Sequence, residues 1–436
     1  MADDTIFVQI ASYRDPELVP TVLDCLARAK RPDKLRFGIC WQFAEGDSIA
    51  AIAHLPQVRF VAVPHYESKG ACWARAIASE LYEGQEFYLQ IDSHHRFVDG
   101  WDEQSIAMLK DLESDGVKKP LLTAYPPAFD PNNDPAGRAS GGIQLDFKDF
   151  SDTAVFSVAS SPLKNWETRT KPIRGRFFAA GYAFARASFL QDVPYDPGYY
   201  FQGEEMNMAF RAFTHGYDIF HPHKPVLWHQ YIRQEAPKHW KDHVVTPEEQ
   251  AAKKQNWEQL NNESLKRLRH FFSYAGYRYE DINWGRYGRG IERTLRDYEL
   301  FAGVDFRRRK ITESCLKKQE PSPTWNRDIS DADWEKMLLN YYEHTIELMN
   351  GILTLDDYDF ILIAYDRADG TNIYTNNIKD EALKALLERL KIPNAMTPLV
   401  TRFFSDQMPH KWVFWPHSKS KGWTSRIGGL MPRMLT

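Results

Sequence analysis

Between Thr5 and Tyr125, short runs of β-branched, aromatic and aliphatic residues alternate with longer stretches of helical periodicity, and this rhythm restricts the fold more than any other feature of the chain. Residues 5–10, 35–43, 58–63, 87–91 and 121–125 read as strands, and 15–30, 69–81 and 101–112 as helices. Asp15, Pro16 and Glu17 supply an N-cap, a proline at N1 and a first-turn acid for the first helix. Strands alternating with helices imply a mainly parallel sheet covered on both faces. In such sheets ligands sit beyond the carboxyl ends of the strands. The loop 11–15 and the turn at Asp92 both fall at such ends, so one crevice is expected to hold both.

The strand beginning at Phe87 runs into Asp92-Ser93-His94-His95. Side chains alternate along extended backbone, so Asp92 and His94 point to the same side and Ser93 away from it. A carboxylate and an imidazole two residues apart make half of a cation site. A third ligand is available at His229, where 226–228 reads as a strand, but His221, His223, His239 and His243 compete and spacing does not choose among them. The loop 126–142, rich in Pro, Asp, Asn and Gly, is expected to line or cover a site. The Gly and Ala residues of 177–184 leave room for a close backbone or ligand approach. Gly203-Glu204-Glu205 opens a helix that ends at His215-Gly216. Two acids in that first turn suit the helix dipole as well as they suit a site.

A chain of 436 residues exceeds one ordinary core, and two domains are expected, 1–310 and 325–436, joined by a stretch containing Arg307-Arg308-Arg309-Lys310, Pro321 and Pro323. Lys plus Arg number 55 against 59 Asp plus Glu, so no global basic field draws the chain to nucleic acid or anionic lipid. The 13 Trp and 21 Tyr exceed what a core needs and suit stacking on sugars or bases. Cys25, Cys40, Cys72 and Cys315 are scattered without C-x-x-C spacing and read as reduced core thiols. No signal-peptide pattern and no membrane-spanning apolar run is present, which points to a cytoplasmic protein. A long helix is predicted over 246–272, with Lys253, Lys254, Lys266, Arg267 and Arg269 on a solvated face. Beyond it, a helix over 330–350, a hairpin about Asp369-Gly370, a helix over 379–390 and strands near 399–404 and 411–415 make a small α+β unit. Trp412, Trp415 and Trp423, with Lys419 and Lys421, are either packing residues or acceptor contacts.

Taken in order, these motifs resemble those of the polypeptide GalNAc-transferases and, more closely, of the protein-hydroxyproline GlcNAc-transferases, retaining enzymes with a GT-A fold. The resemblance covers roughly the first three hundred residues. Asp92-Ser93-His94 is similar to the Asp-x-His variant of the Asp-x-Asp metal motif, which implies that Asp92 and His94 bind manganese, or magnesium, bridging the diphosphate of a UDP-sugar; His229 aligns with the third ligand. Ala180-Gly181-Tyr182-Ala183-Phe184 resembles the Gly-Gly-Leu-Phe segment beside the donor sugar, placing Gly181 and Tyr182 there. Gly203-Glu204-Glu205 resembles a Gly-Gly-Glu-Asn helix start, and Glu204 and Glu205 become the catalytic candidates that position sugar or acceptor. Ser12-Tyr13-Arg14-Asp15 resembles the loop that holds uridine, and Lys69-Gly70-Ala71 through Arg75 the Gly-x-x-x-Ser-Arg helix over the nucleotide, with Arg75 as its polar contact. Gly303-Val304-Asp305-Phe306 is similar to a Gly-Ile-Asp-Phe segment of the hydroxyproline branch. His229-Gln230-Tyr231-Ile232-Arg233 departs from the pattern His-Val-Phe-Arg, shifting the phosphate-contacting arginine by one, to Arg233. The lectin domain common in the GalNAc-transferases has no counterpart in the motifs. The resemblance implies transfer of GlcNAc from UDP-GlcNAc to a hydroxyl on a protein, hydroxyproline-like, or on a glycan. The alternatives are a UDP-sugar transferase that builds a polysaccharide, and a non-catalytic module that binds a sugar nucleotide or a glycan.

Overall fold

The computed structural model describes residues 3–151, 155–233, 236–243 and 256–431. They form two compact units, one of residues up to 307 together with 317–327, the other of 308–316 together with 328 onward. All four cysteines are buried and free.

The first unit is built on β1 (Ile6–Tyr13), α1 (Leu18–Arg28), β2 (Leu35–Phe43), β3 (Val58–Pro64), α2 (Ala71–Ser79), β4 (Phe87–Asp92), β5 (His95–Phe97), α3 (Trp101–Ser114), β6 (Pro120–Thr123), β7 (Ile143–Ser151), β8 (Val155–Pro162), β9 (Ile173–Arg174), β10 (Tyr182–Arg186), α4 (Glu204–Thr214), β11 (Asp218–His221) and β12 (Leu227–His229). Its main sheet runs β3-β2-β1-β4-β10-β6-β11-β9. The first four strands are parallel, β10 runs against both β4 and β6, and β11 is again parallel to β6. This is a mixed α/β architecture with four adjacent parallel strands at one side of the sheet. Ile6, Val8 and Ile10 of β1 join Leu18, Val22 and Trp101 in one core. The opposite face packs Cys40 and Val63 against Ala74 and Ala78 of α2. Period-2 burial on two sides explains why these strands are apolar throughout.

One local expectation changes here. The first helix begins at Leu18, with Glu17 at the N-cap position, because the Asp15 side chain accepts from the Glu17 amide (3.0 Å) and from the neighbouring strand turn rather than capping the helix. The predicted helix start at 246, with Lys253 and Lys254, lies outside the described residues; a described helix spans Trp257–Phe272, opened by a reciprocal cap between Asn256 and Gln259. The hairpin of β7 and β8, which the sequence reading left without assignment, pairs antiparallel and buries Phe147, Phe150 and Phe156.

In the second unit the predicted helix over 330–350 stops at Lys336, and Leu338–Met349 is a strand paired antiparallel with Met396–Ser405. Tyr342, Ile346 and Leu348 enter the core at even spacing while Glu343 and Glu347 face out, and period-2 burial outweighs helical propensity here. The Asp369-Gly370 hairpin forms as expected, joining Tyr358–Asp366 to Asn372–Ile378. Its first strand also pairs with Lys411–Ser418. Helix Asp380–Leu390 contributes Leu383, Leu386 and Leu390 to the core between the strands. Among the described residues, no helix is long and apolar enough to cross a membrane.

Candidate active site

At the carboxyl end of β4 the chain turns at Asp92 and re-enters extended structure at β5. Thr21 of α1 fastens this turn: its hydroxyl donates to the carbonyl of Ser93 (3.0 Å) and accepts from the amide of His95 (2.9 Å). Strand β12 pairs antiparallel with β5, setting His229 opposite His95, so that a residue remote in sequence reaches the Asp92 turn. Among the described residues, Asp92, His94 and His229 are the one group of acid, imidazole or thiol side chains with cation-binding geometry, their ligand atoms lying within 4.8 Å of one another. His221, His223, His239 and His243 stand elsewhere. His221 is buried between the Thr123 carbonyl (2.6 Å) and the Leu145 amide (3.3 Å), and His239 and His243 stack on each other beside Tyr13.

Each ligand candidate is held from behind. Nδ1 of His94 lies 2.8 Å from Oδ2 of Asp15, which also accepts from Ser93 Oγ (2.6 Å) and pairs with Arg233 (3.2 Å). Burial works against ionisation of Asp15, yet hydrogen bonding to His94 and the charges around it hold its pKa below the usual carboxylate range. Arg75 donates to Oδ1 of Asp92 (2.6 Å) and lies 3.1 Å from Glu204. Its remaining donors meet the carbonyls of Ile91 (3.4 Å) and Ala180 (3.2 Å). Arg75 thus positions Asp92 from a buried place at the wall of the cleft. Asp92 Oδ2 sits 3.2 Å from Nε2 of His229. Burial opposes the charge on Asp92, but hydrogen bonding to His229 and the Arg75 charge outweigh it, keeping the carboxylate ionised. His95, beside them, is buried, and desolvation holds it neutral.

These groups border a cleft of about 450 Å³ whose walls include Asp92, Tyr125, Gly181, Glu205, His229 and Tyr231. A Cβ added at Gly181 would stand 3.5 Å from Asp92 Oδ2 and 3.9 Å from His229, so the glycine keeps open the space in front of both. Helix α4 starts at Gly203, whose φ of +94° suits glycine and lets Glu204 and Glu205 turn into the site. Glu204 faces Arg75, whereas Glu205 accepts from the Tyr125 hydroxyl and from the Ala180 amide (2.9 Å). Burial, opposed by those two hydrogen bonds, pushes Glu205 up to about 7.

Other expected residues fall differently. Tyr182, the first residue of β10, enters the core with Leu89, on the same face as Phe184. Lys69 is exposed and does not line the cleft. Tyr13 and Arg14 both bond Asp242 of a short helix, at 2.9 and 2.7 Å, and Ser12 is buried with an unpartnered hydroxyl. Arg233 lies against the His94 ring, its Nη1 2.9 Å from Nδ1 and 3.0 Å from Nε2, while it pairs with Asp15. Asp15 was legible as a helix cap and as the end of the Ser12-Tyr13-Arg14-Asp15 motif, not as a partner of His94; Thr21 carried no signal, and neither did Phe156 to Val158, which wall the cleft from β8.

The fold is a mixed α/β sheet with one carboxylate and two imidazoles gathered at the carboxyl end of β4. The family model described as Glycosyltransferase (GlcNAc) matches residues 5–57 and 52–308, and the chain belongs to that family. No curated protein matches the chain. Among solved structures, GalNAc-T7 with UDP, GalNAc and Mn2+ aligns at 16% identity and a TM-score of 0.44, over 61% of this chain and 48% of that one, so the chain spans about half the length of that relative. S. aureus TarS aligns as residues 1–349 at 16% identity and a TM-score of 0.32, covering 61% of this chain and 72% of that one. A second TarS structure aligns at 10% identity and a TM-score of 0.37, covering 98% of this chain and 86% of that one.

Proposed function

We propose that the chain is a divalent-cation-dependent, retaining transferase that moves GlcNAc from UDP-GlcNAc to a hydroxyl on a protein, hydroxyproline-like, or on a glycan. The observation that carries this reading is the convergence of one carboxylate and two imidazoles, of which Asp92 and His229 line the cleft. The donor set fits the cation: a hard carboxylate and two borderline nitrogens suit manganese, with magnesium as the weaker match. Nδ1 of His229 is buried without a hydrogen-bond partner, and Asp92 retains 28% side-chain exposure towards the cleft. Asp92, His94 and His229 would hold the ion, which when bound supplies positive charge against the charge developing on a departing diphosphate.

The protein's own groups have separable tasks. Asp15 orients the His94 ring, and Arg75 fixes Asp92 while partly neutralising the acids around it. Gly181 leaves the space in which a donor sugar would lie. Glu205, held near neutrality in its pKa, can donate to or accept from a sugar or acceptor hydroxyl, while Glu204 is committed to Arg75. Ser12, Tyr13 and Arg14 are the residues proposed on the uridine side, and Arg233 on the phosphate side. No dedicated base is required for retention, because a leaving phosphate oxygen can take the acceptor's proton.

Release of UDP from a panel of UDP-sugars, with and without manganese, tests the proposal. Fastest manganese-dependent release from UDP-GlcNAc is expected. Equal release with the metal chelated would overturn the cation assignment, and preference for another donor would overturn the sugar.

A further inference from the structure

The second unit carries a cleft of its own, remote in sequence from the residues described above. Its lining includes Tyr358, Lys421, Trp423, Thr424, Ser425 and Ile427, and its volume is about 670 Å³. We propose that this cleft is a binding site for a neutral oligosaccharide, with Trp423 as the stacking platform.

Trp423 is 44% exposed, although its ring is fixed in place by neighbours. Trp415 lies 4.3 Å away at 34°, and Phe360 and His417 meet the indole nearly edge-on at 5.3 and 5.2 Å. The backbone that presents it is equally constrained. Trp423 pairs with His417 across a tight turn, and Asp357 clamps that turn by accepting from Ser418 Oγ (2.7 Å) and the Ser420 amide (2.8 Å). Trp415 Nε1 donates to the Thr424 carbonyl (2.9 Å), tying down the next residue. An exposed indole held this rigidly loses little freedom when a ring stacks on it, which favours binding over exposure for its own sake.

The chemistry of the lining selects the ligand. Lys421 is the single charged side chain among the lining residues, so the cleft does not address an anionic polymer or a nucleotide. Hydroxyl-bearing Thr354, Tyr358 and Ser425 line the cleft together with aliphatic side chains, whereas the Thr424 hydroxyl is given to the Pro416 carbonyl (2.9 Å). A pyranose has the matching form, an apolar C–H face bordered by hydroxyls that donate and accept. The chain belongs to a glycosyltransferase family, which puts such molecules within the ordinary range of its ligands. The inference does not rest on the metal or donor assignment.

Calorimetric titration of the full chain with neutral β-linked tetrasaccharides of glucose, N-acetylglucosamine and galactose tests it, with a sulfated tetrasaccharide as the anionic control. At least one neutral tetrasaccharide is expected to bind, and Trp423→Ala to weaken it by roughly tenfold or more. Trp423→Phe, which keeps a ring on Trp415 and Phe360, should recover part of the loss, while UDP release from the donor alone stays as in the parent for both variants. Absence of binding by all three neutral sugars, equal binding by Trp423→Ala, or preference for the sulfated sugar would each overturn the proposal. Because Asp92→Asn should leave this binding intact, loss of transferase activity and loss of saccharide binding are separable results.

Discussion

The Asp15 carboxylate stands 2.8 Å from Nδ1 of His94 and so decides which nitrogen of that ring is turned towards Asp92 and His229. Asp15→Asn removes the charge while keeping the shape. Outer partners of this kind are worth roughly 10- to 100-fold in metal affinity, so manganese binding measured by calorimetry should weaken by about that factor. Unchanged affinity would mean that His94 is oriented by other means.

Asp92→Asn and His229→Ala should each cut manganese-dependent UDP release by roughly a hundredfold or more. Asp92→Asn leaves Arg75 buried with Glu204 as its remaining acidic partner, so a lower unfolding temperature is expected for it than for His229→Ala. Full activity in either variant would remove that residue from the ligand set.

Thr21→Val deletes the hydroxyl that holds the Asp92 turn against α1. The buried His95 amide would then lack an acceptor, at a cost of roughly 1–3 kcal/mol, readable in chemical denaturation. Turnover should fall further than stability predicts, because the turn carrying His94 loses its anchor. A variant as stable and active as the parent would show that the strand pairing alone holds the turn.

Glu299, on the helix Leu295–Ala302, is pushed up to about 7 by burial and by the nearby Asp305 charge. Between its unfolded value near 4.5 and about 7 the native state keeps a proton that the unfolded chain has lost, so stability declines as pH rises through this window and levels off above it. The upper bound is roughly 3 kcal/mol, taking 1.36 kcal/mol per unit. Glu299→Gln should lessen this slope in denaturation curves measured from pH 4.5 to 8, the remainder coming from Glu205, which is raised to about the same value. An unaltered slope would assign the effect to other groups.

The chain's local periodicity determined the strands β1 to β4 and β6 of the first unit and placed Asp92 at a strand's carboxyl end, where the cleft lies. It also determined the Asp369-Gly370 hairpin. These follow from side-chain alternation and turn chemistry, which act over a few residues. The tertiary structure decided the rest. His229 joins the site because β12 pairs with β5 in one register, bringing together residues 137 apart in the chain, and no spacing rule distinguishes it from the other histidines. Tyr182 leaves the site because β10, once placed, puts it on the core face with Phe184. Arg75 becomes a support for Asp92 only when α2 is packed on the sheet. The segment 338–349 is a strand because a partner strand pairs with it and a core lies on one of its faces. Which face a residue presents is written locally; what stands opposite that face depends on pairing and packing across the whole chain.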